Sequence, residues 1–146
     1  MKIRHKAVPA VYLILKKEGQ ILLARRCNTG YQDGNYHLPS GPVEESEFPT
    51  AALLREAKEE IGIDLSGSEL HLAHVLYRLK HDETGDRIDL FFTADTWKGE
   101  IKNMEPQKCD DLKWVKLTEL PENMTPYIRH TIGCIEKNIF SSELEK

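Results

Sequence analysis

The stretch Gly41-Pro42-Val43-Glu44-Glu45-Ser46-Glu47, followed after seven residues by Arg55-Glu56-Ala57-Lys58-Glu59-Glu60-Ile61-Gly62-Ile63, decides the reading of this chain. From Pro49 to Ile61 the residues are mostly Ala, Leu, Arg, Lys and Glu, with no further Gly or Pro before Gly62. Proline suits a helix's first turn, and a glycine just past its end supplies a left-handed cap, so the pattern predicts a helix over 49–61. At about 100° per residue, Leu53, Leu54, Ala57 and Ile61 share one apolar arc, and Glu56, Glu59 and Glu60 share the adjacent one. One face packs and its neighbour is a carboxylate ridge.

Like charges three and four residues apart cost about 0.2–0.5 kcal/mol per pair in an isolated helix. Arg55 offsets part of this by pairing with Glu59 four residues on, and a hard dication with oxygen ligands would neutralise more. Diphosphate chemistry needs such an arrangement, because a cation held between carboxylates and phosphate oxygens relieves the repulsion that keeps water away. Three glutamates alone would read as a solvated helix face. The seven positions Gly41, Glu47, Arg55, Glu56, Glu59, Glu60 and Gly62 together would arise by accident on the order of once in 10⁶ chains of this length, at these residue frequencies.

Outward from this core, Val8 to Leu15 and Ile21 to Ala24 flank the turn Glu18-Gly19 and predict a hairpin. Cys27 to Tyr36 is rich in Asn, Asp and Gly and predicts an exposed loop. After Gly67, the runs Leu70 to Leu79 and Arg87 to Trp97 predict a second hairpin through the polar segment 81–86. A further strand is expected around Leu112 to Leu117. Beyond Pro121 and Pro126, Ile128, Ile132, Ile135 and Ile139 recur at helical spacing and predict a C-terminal amphipathic helix, leaving Ser141 to Lys146 to fray. The expectation is one α+β domain over 1–146, an α/β/α sandwich with a mixed sheet between helices.

With 146 residues, the chain has length enough for one core without disulfides or structural metals. Twenty basic and 24 acidic residues give a net charge of −4, and no basic stripe marks a nucleic-acid backbone site, so no stable nucleic-acid binding is expected. No apolar run approaches a membrane span, and the stretch 7–15 reads as a strand instead of a signal segment. Three widely spaced cysteines, Cys27, Cys109 and Cys134, form neither a disulfide framework nor a zinc motif, which fits a reducing cytoplasm. His71 and His74 lie in a β-type run, where their spacing does not make facing ligands.

The stretch 41–63 resembles the Nudix box: a glycine, five residues, Glu, seven residues, Arg-Glu, an aliphatic, any residue, Glu-Glu, any residue, Gly, an aliphatic. It matches at every specified position, with Ala57 and Ile63 as the aliphatics. The order of the preceding hairpin and of the later Trp97-Lys98-Gly99-Glu100 and Leu120-Pro121 steps is similar to the family's too. The resemblance implies water attack on phosphorus in a nucleoside diphosphate linked to another group, with Mg²⁺ or Mn²⁺ required. It places Glu56, Glu59 and Glu60 at metal-binding positions and makes Glu56 the choice for activating water. Arg55 and Glu47 fall where carboxylates are oriented, the Ser40 carbonyl where a metal is coordinated, and Gly41 and Gly62 where the loop and helix end are shaped. An additional acid from a later loop is expected, with Glu105 best placed along the chain and Asp110 and Asp111 as rivals. Ser40 and Ser46 stand where the family commonly has glycine, which puts the usual loop conformation in question.

Within the family the likeness is to the MutT-like branch, which converts nucleoside triphosphates, including oxidised ones such as 8-oxo-dGTP, to monophosphate and pyrophosphate. Arg26 and Asn123 sit where that branch contacts nucleotide. A strand-end charge and a capping amide are equally ordinary readings of those two residues. The alternatives are pyrophosphatase action on a nucleotide sugar, ADP-ribose or a dinucleoside polyphosphate, and a non-catalytic nucleotide-binding module. The partner expected is a small-molecule nucleotide, and the assembly a monomer or homodimer.

Overall fold

The computed structural model describes residues 2–80 and 82–145. Met1, Lys146 and His81, the first residue of the expected turn at 81–86, lie outside the described residues. In chain order the elements are β1 (Ala7–Lys17), β2 (Gln20–Arg26), β3 (Tyr36–His37), β4 (Ser40–Pro42), α1 (Pro49–Ile61), β5 (His71–Leu79), β6 (Asp86–Ala94), β7 (Cys109–Lys116), α2 (Pro126–Glu136) and β8 (Ser141–Glu145).

The strands form one mixed sheet in the order β3-β2-β1-β6-β5-β8, with β4 paired to β1 and β7 to β2. The first hairpin is joined only at its turn, where Lys16 faces Ile21 and Lys17 faces Gln20. Beyond that the two strands part company. β1 runs parallel to β6 and antiparallel to β4, while β2 takes β7 and β3 as antiparallel neighbours.

Because β1 lies between helices, both of its faces are buried, which is why its sequence is a nearly unbroken apolar run. Ala10, Tyr12 and Ile14 point to a core completed by Ile128 and Ile132 of α2. Val11, Leu13 and Leu15 point to a second core completed by Ala52, Leu53, Ala57 and Ile61 of α1. The result is the expected α/β/α sandwich. Leu54, the fourth member of the apolar arc, is only partly buried at its edge.

Three expectations are corrected. Ser141 to Glu145 does not fray but forms β8, a parallel edge strand on β5. Its anchor is His74, wholly buried, whose Nδ1 donates to the Ile139 carbonyl at 2.8 Å and whose Nε2 meets the Ser142 hydroxyl at 2.7 Å. The C-terminal helix stops at Glu136, short of Ile139, because Asn138 takes a left-handed φ of 60° and the Ile139 amide turns back to the Cys134 carbonyl. The strands β3 and β4, of two and three residues, are too short to show a period in the sequence. Tyr36, placed in the loop by its neighbours, is buried in β3. Among the described residues no helix is long and apolar enough to cross a membrane.

Candidate active site

The helix α1 starts with Pro49 in its first turn and ends on Gly62, whose φ of 74° is the left-handed cap read from the sequence. Gly62 then directs the chain to Ile63 in the core beneath the helix. This fixes the ridge of Glu56, Glu59 and Glu60 beside β4.

Along β4 the backbone alternates between two partners. The Pro39 carbonyl accepts from Leu13 and the Val43 amide donates to Pro9, so Pro39, Gly41 and Val43 turn toward β1. The residues between turn toward α1: the Ser40 amide donates to Glu60 Oε2 at 3.1 Å, and the Pro42 carbonyl accepts from Arg55 Nη2 at 3.2 Å. By the same alternation the Ser40 carbonyl faces the ridge. Gly41 lies so close to Glu56 that a Cβ there would overlap the carboxylate, which explains why the position needs glycine.

Arg55 organises the acids. Its Nε and Nη2 grip the two Glu47 oxygens at 2.9 and 3.0 Å, Nη1 donates to Glu56 Oε1 at 2.8 Å, and Glu59 Oε2 lies 3.6 Å from Nη1. This bidentate grip holds Glu47 down at a pKa of about 2. Glu56 and Glu60 move the other way. Burial raises Glu56, against a hydrogen bond shared with Glu60 and the pull of Arg55, and burial together with the Glu56 charge raises Glu60 well above the usual carboxylate range. Glu60 keeps some accessible surface, but protein atoms crowd its carboxyl group.

A cavity of about 450 Å³ opens over this ridge. The segment following Asn103 reaches it because the Lys102 and Met104 amides donate to the carbonyls of Ile61 and Glu60 at the end of α1. Glu105 thereby lines the cavity, and its charge acts on Glu60. The rivals do not line it: Asp110 pairs with Arg25 at 2.7 Å, and Asp111 is hydrogen-bonded to the Tyr36 hydroxyl. Arg26 does, with its Nε on the Tyr31 carbonyl at 2.6 Å. Asn123 does not, since its side-chain amide is turned to the Gly34 carbonyl at 3.0 Å.

The donor set suits a hard dication: carboxylates, a backbone carbonyl and carboxyl groups whose raised affinity for protons marks uncompensated charge. Among the described residues, no three acidic, histidine or cysteine side chains already surround one point closely enough to hold an ion. Glu56 and Glu60 are engaged by Arg55 and the Ser40 amide, contacts that a cation would compete with.

Three groups lay beyond the sequence reading. His37 lines the cavity fully buried, its Nδ1 2.9 Å from the Thr125 hydroxyl, and burial, aided by the charges of Arg26 and Arg78, holds its pKa down at about 3. Nothing in its sequence context distinguishes it. Arg78 and Asp89 form a buried ion pair at 2.5 Å. Both fall on the inward period of their strands, two residues from Leu76 and Phe91, and a charge at such a position is a readable signal.

Residues 4–132 match the NUDIX domain family. An 8-oxo-dGTP diphosphatase of Proteus vulgaris is 36% identical over 93 residues, covering 63% of this chain and 79% of that protein. An ADP-ribose pyrophosphatase of Methanocaldococcus jannaschii is 35% identical over 118 residues, 81% of this chain and 66% of its own length. Among solved structures, a MutT NUDIX hydrolase from Burkholderia pseudomallei superposes with a TM-score of 0.80 at 26% identity, covering 88% of this chain and 98% of that one.

Proposed function

The chain belongs to the Nudix family of hydrolases, and from that premise we propose that it is a Mg²⁺- or Mn²⁺-dependent pyrophosphohydrolase that cleaves nucleoside triphosphates, oxidised ones included, to monophosphate and pyrophosphate. The observation that carries the reading is the wall formed by the Glu56-Glu59-Glu60 ridge, the Ser40 backbone and Glu105 around one cavity. The likeness to 8-oxo-dGTP diphosphatases supports the choice of substrate.

In this mechanism Glu56, Glu59, Glu60, Glu105 and the Ser40 carbonyl would hold the cation, which when bound offsets phosphate charge and polarises the attacking water. Arg55 fixes Glu56 through Oε1. Water oxygen bonds to phosphorus, the bridging P–O bond breaks with its electron pair going to the leaving pyrophosphate, and Glu56 takes the water's proton. Glu47 acts through Arg55, and Gly41 and Gly62 through the space and direction they give Glu56 and the chain after α1. Arg26 is proposed to contact the nucleotide. Asn123 joins it by exchanging the Gly34 carbonyl for substrate, so Asn123→Ala should raise KM more than it lowers kcat.

The test is a Mg²⁺-dependent screen of canonical and oxidised triphosphates, ADP-ribose, dinucleoside polyphosphates and nucleotide sugars, with pyrophosphate and phosphate detected separately. Pyrophosphate from a triphosphate is the expected result. Turnover of ADP-ribose alone, toward which the Methanocaldococcus relative points, would keep the ridge and replace the substrate. Silence on every substrate would leave a binding module.

A further inference from the structure

The turn that brings Glu105 to the cavity brings a cation with it. The Lys108 and Cys109 amides both donate to the Glu105 carbonyl at 2.9 Å, and the Cys27 amide donates to the Lys108 carbonyl at 2.9 Å. The Asn103 side chain braces the same turn, bonding the Cys109 carbonyl at 2.7 Å and the Glu105 amide at 3.1 Å. These bonds fix the turn against the end of β2, and both Glu105 and Lys108 line the cavity over the ridge. An acid and a base three residues apart in one turn are placed to pair. Yet among the described residues Lys108 has no carboxylate, that of Glu105 included, at ion-pairing distance.

The other cations of this lining are engaged. Arg25 pairs with Asp110 at 2.7 Å, and Arg55 is held among Glu47, Glu56 and Glu59. Arg26 is tied by Nε to the Tyr31 carbonyl, with its Cζ 5.5 Å from the Tyr31 ring centroid. Lys108 is thus the cation of the lining, among the described residues, whose charged end no protein group holds.

Five glutamates line the same cavity: Glu44, Glu56, Glu59, Glu60 and Glu105. A polyphosphate entering it is repelled by those acids wherever no positive charge stands between. A dication on the ridge serves the bond to be cut. The phosphates beyond that bond need positive charge of their own, most of all as the bridging oxygen takes up the electron pair. An ammonium with three donors on a flexible stem and no fixed partner suits that task.

We propose that Lys108 binds the terminal phosphates of the substrate, the pair that departs as pyrophosphate, and so selects nucleotides with a free terminal phosphate over diphosphates capped by a sugar. The proposal rests on the reading that the ridge cleaves nucleoside triphosphates, and Lys108 lies outside the positions to which the family resemblance assigns a role. In the reaction it exchanges no proton. It stays an ammonium while the bridging P–O bond breaks and its electron pair leaves on pyrophosphate.

Product binding tests this apart from turnover. Calorimetry with Mg²⁺ compares inorganic pyrophosphate with AMP and GMP on the wild type, Lys108→Gln, Lys108→Arg and, as a control for lost charge, Lys116→Gln at the far end of β7. Lys108→Gln should weaken pyrophosphate by about tenfold or more, the scale of a hydrogen bond to a charged group, and leave the monophosphates within about twofold. Lys108→Arg should restore most of the affinity, and Lys116→Gln should change neither ligand. Because Lys108 is exposed, the loss should narrow in high salt. In turnover, Lys108→Gln should lower kcat/KM for a triphosphate by a similar factor and spare ADP-ribose, whose distal phosphate carries a ribose.

Unchanged pyrophosphate affinity in Lys108→Gln, or no binding of pyrophosphate to the wild type at millimolar concentration, would overturn the proposal. So would a loss shared equally with the monophosphates, because a merely disturbed turn would weaken both. Turnover of ADP-ribose alone, with the Lys108-dependent pyrophosphate affinity intact, would sink the triphosphate reading and keep the subsite. Pyrophosphate release from triphosphates at full rate in Lys108→Gln would do the reverse.

Discussion

The Cα of Gly41 faces the side chain of Glu56 so closely that a methyl group there would overlap the carboxylate and stand 2.8 Å from Cγ. The obstacle is the free end of a flexible side chain, so the strand need not move: Glu56 would swing away and lose its 2.8 Å bond to Arg55. Gly41→Ala should therefore separate activity from folding. We expect kcat to fall by at least about 100-fold, the scale reached when a reacting group is displaced by an ångström, while Tm shifts by only a few degrees. Wild-type kcat in this variant would remove Glu56 from the chemistry.

Ser46 and Ser40 both stand where the family commonly has glycine, yet only one bears a cost. Ser46 is held at φ 61°, in the left-handed region that disfavours a β-carbon, whereas Ser40 lies in β4 with no such φ. Ser46→Gly should stabilise the protein by about 0.5–1 kcal/mol, the steric relief less the extra freedom of the unfolded chain. Ser40→Gly should not stabilise it. Urea unfolding midpoints of the two variants decide, and a gain at Ser40 would mean the strain is misplaced.

Breaking the buried pair should be costlier than removing it. Burial pushes the Asp89 carboxyl up while its hydrogen bond to Arg78 and the Arg78 charge oppose this, so removing Arg78 alone strips the buried acid of its main compensating contact. Arg78→Met alone should destabilise by about 3–5 kcal/mol, and Arg78→Met with Asp89→Leu by much less. Denaturant melts of the two variants measure the difference, and equal losses would mean the pair's own attraction dominates.

How far the sequence carried the fold follows from element length and burial. Helix α1 was legible to the residue because Pro49 and Gly62 punctuate it, and β1 because a strand covered on both faces must be apolar throughout. β8 was not, since Ser-Ser-Glu-Leu-Glu has a solvated face and owes its place to His74, a partner 68 residues away that bonds Ser142. At the site, the box fixed the ridge through local spacing. Glu105 could be ranked over Asp110 and Asp111 only by order along the chain, and the cavity lining now distinguishes them through tertiary contacts, the latch of Met104 on Glu60 and the pairing of Asp110 with Arg25. Asn123, which chain order places by the nucleotide, bonds the Gly34 carbonyl here and would reach substrate by giving up that bond.

That ranking is open to direct test. Glu105→Gln should lower kcat by about 10-fold or more and raise the Mg²⁺ concentration needed for half-maximal rate, since it removes a charged oxygen next to Glu60. Asp110→Asn and Asp111→Asn should stay within about threefold of wild type on both measures. A larger loss from either aspartate than from Glu105 would reverse the assignment.

The stability of the protein should decline on the acid side through His37. Its pKa is held at about 3 in the folded chain, against 6.5 for the free side chain, because burial and the charges of Arg26 and Arg78 penalise the imidazolium. Between those two values the unfolded chain binds a proton that the folded chain refuses, so unfolding gains from acid. The contribution is fully present above pH 6.5 and is lost as pH falls toward 3, at about 1.4 kcal/mol per unit while both limits hold. His37→Gln keeps a polar group facing the Thr125 hydroxyl and should flatten the profile in that window at some cost in stability near neutrality. Urea midpoints from pH 4 to 8 for both proteins give the comparison, and parallel profiles would mean that His37 is protonated, or exposed to water, in the folded state.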